Sequence, residues 1–141
     1  MTSFQQSASE RDIEIIRQIY YGINQNDIDA VVNLMDVDIM RIEPEDFPTA
    51  GTFWGHHDVR QHLIKGRSTW AEGGCEPVDF FTAGNKIVVT VHIKVLLKDH
   101  SEWIDAWIAD GFILKNGLVT AFHSFSNNKK AFEWAGIADN Y

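Results

Sequence analysis

An α+β fold is predicted by two patterns and their order. Apolar residues at helical spacing dominate the first half of the 141-residue chain, and long extended stretches parted by turn signals dominate the second. The length of those stretches adds a third observation. Long strands accumulate right-handed twist, so the sheet should curl. Helices laid on one face would close the curl into a cup. The expected architecture is a cone-shaped, curved antiparallel sheet packed on three N-terminal helices around a central pocket.

From Ser9 to about Asn24, Ile13, Ile16, Ile19, Tyr20 and Ile23 follow a helical period, and Ser9 with Asp12 resembles a capping-box start. A second helix fits Asp27 to Met35, with Asn26 as its cap and Ile28, Val31, Leu34 and Met35 as its buried side. A strand, Asp38 to Glu43, follows and stops at Pro44, because the residue before a proline is biased to extended geometry. The segment PEDFPTAGTFWGHH reads as a loop. A third helix runs from about His57 to Trp70, with Val59, Leu63 and Trp70 inward. Turn signals at 83–85, 98–100 and 115–117 then separate four strands, 76–82, 86–97, 101–114 and 118–126, as a meander of hairpins. The segment KKAFEWAGI reads as a short closing helix. No repeat or linker divides the chain, so residues 1–141 are expected to form one domain.

Composition narrows the function classes. Twelve basic against twenty acidic residues leave a net charge of −8, which opposes binding to nucleic acid or an anionic membrane. No apolar run is long enough to span a bilayer. The opening MTSFQQSASERD lacks a basic region followed by an apolar one, and the single cysteine, Cys75, cannot form an internal disulfide, so a reducing cytoplasm is expected. His56, His57 and His62 cluster around the third helix without a metal-ligand spacing, and no metal site is expected. His56 and His57 are read as shaping the entry to that helix. His92 and His123 lie in strands and could reach the cup, and His123 is read either as pocket lining or as a satisfied core histidine. No Ser-His-Asp set and no glycine-rich phosphate loop is present, which disfavours nucleophilic hydrolysis.

Four segments together resemble a known superfamily: YYGINQNDIDAVVNLM followed by a strand, then GTFWGHHDVRQHL, ADGFILKNGLV and FEWAGI. In order and spacing they are similar to the nuclear-transport-factor-like proteins, most of all to the ketosteroid-isomerase-related and SnoaL-like polyketide-cyclase group. The resemblance covers nearly the whole chain. It implies proton-transfer chemistry without a cofactor, in which a carboxylate base moves a proton beside a carbonyl and a neutral carboxyl donates to the enolate oxygen. Carried over without a gap, the base falls on Glu43 and the neutral carboxyl on Asp110. The helical tyrosine of those isomerases falls on Ile19, a departure. Tyr20 and Tyr21 are turned from it by about 100° per residue step.

The residues themselves leave alternatives. Asp110 lies in WIADGFIL with Ile108 and Phe112 on its own face, an apolar setting that raises a carboxyl pKa. If Gly111 instead marks a bulge, Asp110 turns to water. Ile39, Arg41 and Glu43 share one strand face. Arg41 then either pairs with Glu43 and blunts it as a base, or holds an acidic ligand on which Glu43 acts; a weak surface ion pair is the bland alternative. Trp54, Phe112, His123 and Tyr20 are expected to line the site.

The expected function is that of a small-molecule pocket, with Glu43 as base and Asp110 as donor toward a hydrophobic carbonyl substrate. A non-catalytic binder of a small hydrophobic ligand is the alternative. A pure interaction domain, the third, would have a filled core and no cavity. Trp103 and Trp107 fall on the strand face opposite Asp110, where exposure would be unfavourable unless another subunit covers them. Relatives of this fold commonly pair through the sheet, so a symmetric homodimer is expected.

Overall fold

A computed structural model describes residues 8–138 of the chain. The first seven residues of the segment read for a secretion signal lie outside that range. The first helix, α1 (Ala8–Asn24), buries Ile16, Ile19 and Tyr20, as its periodicity predicts. At Gly22 a side chain would meet Val31 Cγ2 at 2.6 Å, so glycine here permits the close approach of α2 (Ile28–Val32). That helix is shorter than predicted. Asn26 takes a left-handed turn, with φ at +58°, and the cap passes to Asp27, whose carboxylate accepts from the Ala30 amide at 3.3 Å. Met35 is thereby released to open the first strand, β1 (Met35–Glu43).

A short strand, β2 (Gly51–Trp54), lies in what reads as loop, and pairs antiparallel with β1. It leads straight into α3 (Gly55–Arg67), which ends before Trp70. Trp70 instead begins β3 (Trp70–Ala83), six residues ahead of the predicted start. The early part of β3 is disguised by an irregularity between Trp70 and Glu72 and by Gly73, whose φ of +98° brings it so close to Lys94 O that only glycine fits. The remaining elements are β4 (Lys86–Leu97), β5 (Ile104–Lys115), β6 (Leu118–Phe125) and α4 (Asn128–Ala135). The last helix is capped by Asn127 and closed by Gly136 at φ +73°.

The strands form one curved, unclosed sheet in the order β2-β1-β6-β5-β4-β3. Its neighbours are antiparallel except β1 and β6, which run parallel because the chain must cross the helical layer and the whole meander before β6 returns to β1. The inner face packs Ile39, Val89, Phe112 and Phe122 against Ile16, Ile19, Val31 and Val59 from the first three helices. On the outer face α4 covers Val88, Ala109 and Phe125 with Ala131 and Phe132. Gly111 belongs to this second contact: a Cβ there would lie 2.5 Å from the Trp134 ring. The glycine makes room for α4, the pairing runs through it without a bulge, and Asp110 therefore keeps its inward direction. No described helix is long and apolar enough to cross a membrane.

Candidate functional site

Strand pairing sets the polar groups in a row across the inner face. Arg41 of β1 is level with Phe122 of β6, and Ser124 of β6 is level with Asp110 of β5. Glu43 ends β1 two residues beyond Arg41, on the same face. The period of two that predicts these facings holds because no register shift falls within 40–42 or 109–113.

Asp110 is 3% exposed and is held by two hydroxyls. Tyr20 Oη meets Oδ2 at 2.5 Å and Ser124 Oγ meets Oδ1 at 2.6 Å. Burial pushes the Asp110 carboxyl above its usual range, and nearby Glu43 adds to the rise; Arg41 and the two hydroxyls oppose it without cancelling it. Tyr20 is likewise pushed up, by burial first and then by Asp110. A proton count gives this cluster its chemical meaning. With Asp110 ionised, two hydroxyl protons serve two contacts and none is left over. With Asp110 neutral, three protons serve the same two contacts, and one O–H is free to turn toward a ligand oxygen.

Glu43 lives among donors of another kind. Thr49 Oγ1 donates to Oε2 through a short hydrogen bond, His62 Nε2 lies 2.8 Å from the same oxygen, and Arg41 Nη2 is 3.4 Å from Oε1. Burial alone would raise this carboxyl, but the His62 hydrogen bond, the Arg41 charge and the Thr49 hydroxyl outweigh it, and Glu43 sits below its usual value. His62 Nε2 is also 2.9 Å from Thr49 O, so both its neighbours are acceptors and this nitrogen carries a proton. Phe53 stacks on the imidazole at 4.1 Å. Arg41 is 5% exposed and its guanidinium lies 4.0 Å over the Phe122 ring, with Nη1 donating to the carbonyls of Ile42 and Phe122. Burial lowers its pKa, against the pull of Asp110 and Glu43.

The row opens onto a cavity of about 520 Å³ between the sheet and α1, α3 and the 44–50 loop. Its wall includes Tyr20, Arg41, Glu43, His62, Asp110 and Ser124, and the rest is mostly apolar. The filled core required of a pure interaction domain is therefore not what the fold contains.

Of the residues expected to line the site, Tyr20, Arg41, Glu43 and Asp110 meet at the cavity and three do not. Trp54 is 62% exposed at the end of β2, outside it. Phe112 shares the face of Asp110 but lies deeper, fully buried and stacked on Phe122 at 4.6 Å. His123 alternates to the outer face, between Phe125 and Trp134, where burial and Arg41 hold its pKa below the usual value. His92 also faces outward, 2.6 Å from Asp105 and stacked on Trp107. His56 anchors the start of α3 through Met35 O at 2.9 Å. Tyr20 corrects the ungapped count: Ile19 is in the core, and the next residue turns its phenol to Asp110. His62 was missed as a site residue. Its signal was the buried stripe Val59, His62, Leu63 at helical spacing, which directs an imidazole inward.

Cys75, also on the cavity wall, is tied by Asn24. The amide Nδ2 donates to Cys75 O at 2.8 Å and Oδ1 accepts from Cys75 N at 2.9 Å. Burial pushes its thiol up to about 12. Among the described residues, no three histidine, cysteine or carboxylate side chains converge as a metal site.

No family model matches the chain, and no curated protein matches it in sequence. Solved structures do. TerC, crystallised with polyporic acid, is 20% identical and superposes with a TM-score of 0.73 over 89% of this chain and 97% of its own. An NTF2-like protein of unknown function from Burkholderia pseudomallei is 18% identical, with a TM-score of 0.74 over 89% of this chain and 97% of its own. A protein with a ketosteroid isomerase-like fold from Catenulispora acidiphila, bound to trimethylamine, is 11% identical, with a TM-score of 0.72 over 91% and 96% of the two chains. Likeness at this level speaks for architecture, and it agrees with the resemblance carried by the sequence segments: the chain has the NTF2-like, ketosteroid-isomerase-like fold.

Proposed function

We propose that this single domain binds a small hydrophobic carbonyl compound and moves a proton on it without a cofactor, in the manner of an isomerase or cyclase. The observation that carries the reading is the separation of two carboxyls on one cavity wall, Asp110 raised and Glu43 lowered. Such a pair divides the roles: the neutral Tyr20–Asp110–Ser124 cluster offers an O–H to a developing enolate oxygen, and ionised Glu43 accepts the proton from carbon. Arg41 holds Glu43 in place. That structural relatives were crystallised with polyporic acid and with trimethylamine supports occupation of the cavity by a small molecule.

The test has two parts. Carbon-detected NMR titration, with Asp110→Asn and Glu43→Gln as assignments, should show Asp110 titrating above and Glu43 below the usual value of about 4. Deuterium exchange beside the carbonyl of an enolisable ketone should then fall roughly 10²–10⁴-fold in Glu43→Gln. A second reading, a binding module that catalyses nothing, is favoured by the three donors that saturate Glu43 and weaken it as a base. Ketone binding with exchange indifferent to Glu43→Gln would establish that alternative.

The same reading takes the protein as a cytoplasmic homodimer. The buried lone thiol of Cys75 supports the compartment. Exposed Trp107, on the part of the outer face away from α4, supports pairing through the sheet; exposed Trp103, expected on the same strand face, falls just before β5 begins at Ile104.

A further inference from the structure

We infer that Asn24 is a positioning residue for the donor cluster: by pinning the end of α1 to the edge of β3, it seats the Tyr20 phenol on Asp110. This rests on the proposal that the Tyr20–Asp110–Ser124 cluster presents an O–H to a ligand, and it adds what holds that cluster in place.

The contact at Asn24 has the form of a strand pairing. β3 ends the sheet, so among the described residues its backbone has β4 on one side and no strand on the other. At Cys75 the side-chain amide of Asn24 stands where the next strand would be. It donates to the carbonyl at 2.8 Å and accepts from the N–H at 2.9 Å. Two such bonds to one residue fix both the position and the tilt of the amide. The strand is shaped for the approach: a Cβ on Gly74 would lie 2.8 Å from Asn24 Oδ1, so a side chain there would push the amide away.

The same end of α1 is tied a second time, to α3. Its last turn carries no basic residue, and Arg67 supplies one from outside. Nε donates to Ile23 O at 2.8 Å and Nη2 to Asn24 O at 3.2 Å, which satisfies carbonyls that a helix end leaves bare. The guanidinium in turn lies 4.9 Å over the Trp70 ring.

Tyr20 stands one turn back from Asn24, about 6 Å along the axis and on the same helix face. Apart from its hydroxyl it is held by apolar packing, with Phe112 edge-on at 6.0 Å. Packing of that kind is non-directional and does not by itself fix where a helix sits along a sheet. A 2.5 Å hydrogen bond between buried groups demands such a fix. The directional contacts at the helix end provide it.

The experiment is the carbon-detected titration of Asp110 in the full chain. The Tyr20 hydroxyl holds the Asp110 carboxyl down, so Tyr20→Phe should move its titration upward. Asn24→Ala should move it the same way by less, and the double variant should titrate as Tyr20→Phe alone, because Asn24 acts through the phenol. Gly74→Ala, which keeps the amide but crowds it off the strand, should reproduce Asn24→Ala. Arg67→Met should give a weaker shift of the same sign. Asn127→Ala removes the cap of α4 on the outer face; it should lower stability and leave Asp110 where it is. An Asp110 titration unmoved in Asn24→Ala would overturn the inference. So would shifts that add in the double variant, or an equal shift in Asn127→Ala. If Asn24→Ala fails to fold, Gly74→Ala and Arg67→Met carry the same test. None of these readouts needs turnover. An Asp110 titration that follows Asn24 in a protein that exchanges no ketone proton would sink the enzymatic reading alone. Ketone exchange with Asp110 indifferent to Asn24 would sink this one alone.

Discussion

Glu43 and Asp110 stand near one level of one sheet face, on strands separated only by β6, yet they are pushed in opposite directions. Burial acts on both in the same sense. What differs is the company. Glu43 receives a guanidinium, an imidazole and a hydroxyl, while Asp110 receives two hydroxyls and no direct ion pair among the described residues. Hydroxyls can serve either protonation state, since each both donates and accepts; a guanidinium serves only the anion. Two like groups on one wall are pushed apart by their different neighbours, with Asp110 also the more deeply buried.

The largest break in this contrast is Arg41→Met, which keeps bulk but leaves Glu43 without its permanent charge partner. Loss of one member of a buried pair should lower stability by about 3 kcal/mol or more in denaturant unfolding, and Glu43 should titrate higher. Retention of wild-type stability would mean that His62 and Thr49 suffice. Next comes Tyr20→Phe, which leaves Asp110 Oδ2 without its hydroxyl. A loss of about 1–3 kcal/mol is expected, with the titration of Glu43 unchanged; a shift in Glu43 as well would show that the two clusters act as one.

The pH dependence of stability separates the pair by sign. Asp110, raised in the folded state, contributes stability that is complete below the ordinary value of about 4 and is lost as pH rises through its folded pKa. Glu43, lowered, contributes stability that is present above that value and is lost as pH falls through its folded pKa. Asp110→Asn should therefore flatten the stability curve above about pH 4 and Glu43→Gln below it, each by at most about 1.4 kcal/mol per pH unit. Changes on the same side of the curve would refute the contrast. The smallest effect is expected of Thr49→Val, which removes one neutral donor: about 1 kcal/mol by thermal unfolding, and a modest upward drift of Glu43.

Much of this arrangement was written in local patterns. The inward direction of Asp110 follows from the period of two in WIADGFIL, and the Arg41–Glu43 pair from the same rule. The features that escaped depend on distant contacts. Four residues of β2 become a strand only because β1 pairs with them, and the start of β3 carries a register shift at 70–72 and two glycines that local patterning reads as a break. His62 gains its role from a carboxylate 19 positions away, which no helical period displays. Trp54 illustrates the converse error. A large aromatic beside a loop suggests a pocket, but β2 is an edge strand and its alternation puts Trp54 outside while Phe53 reaches His62.

The clamp of Asn24 on Cys75 turns the one thiol of this chain into a clock. Burial pushes that thiol up to about 12, so little of it is thiolate at neutral pH, and it lies on the cavity wall itself. An alkylating reagent reaches it through the cavity, where a bound ligand would stand in the way. The labelling rate therefore reads access to the cavity, and a ligand that slows it is one that occupies that space.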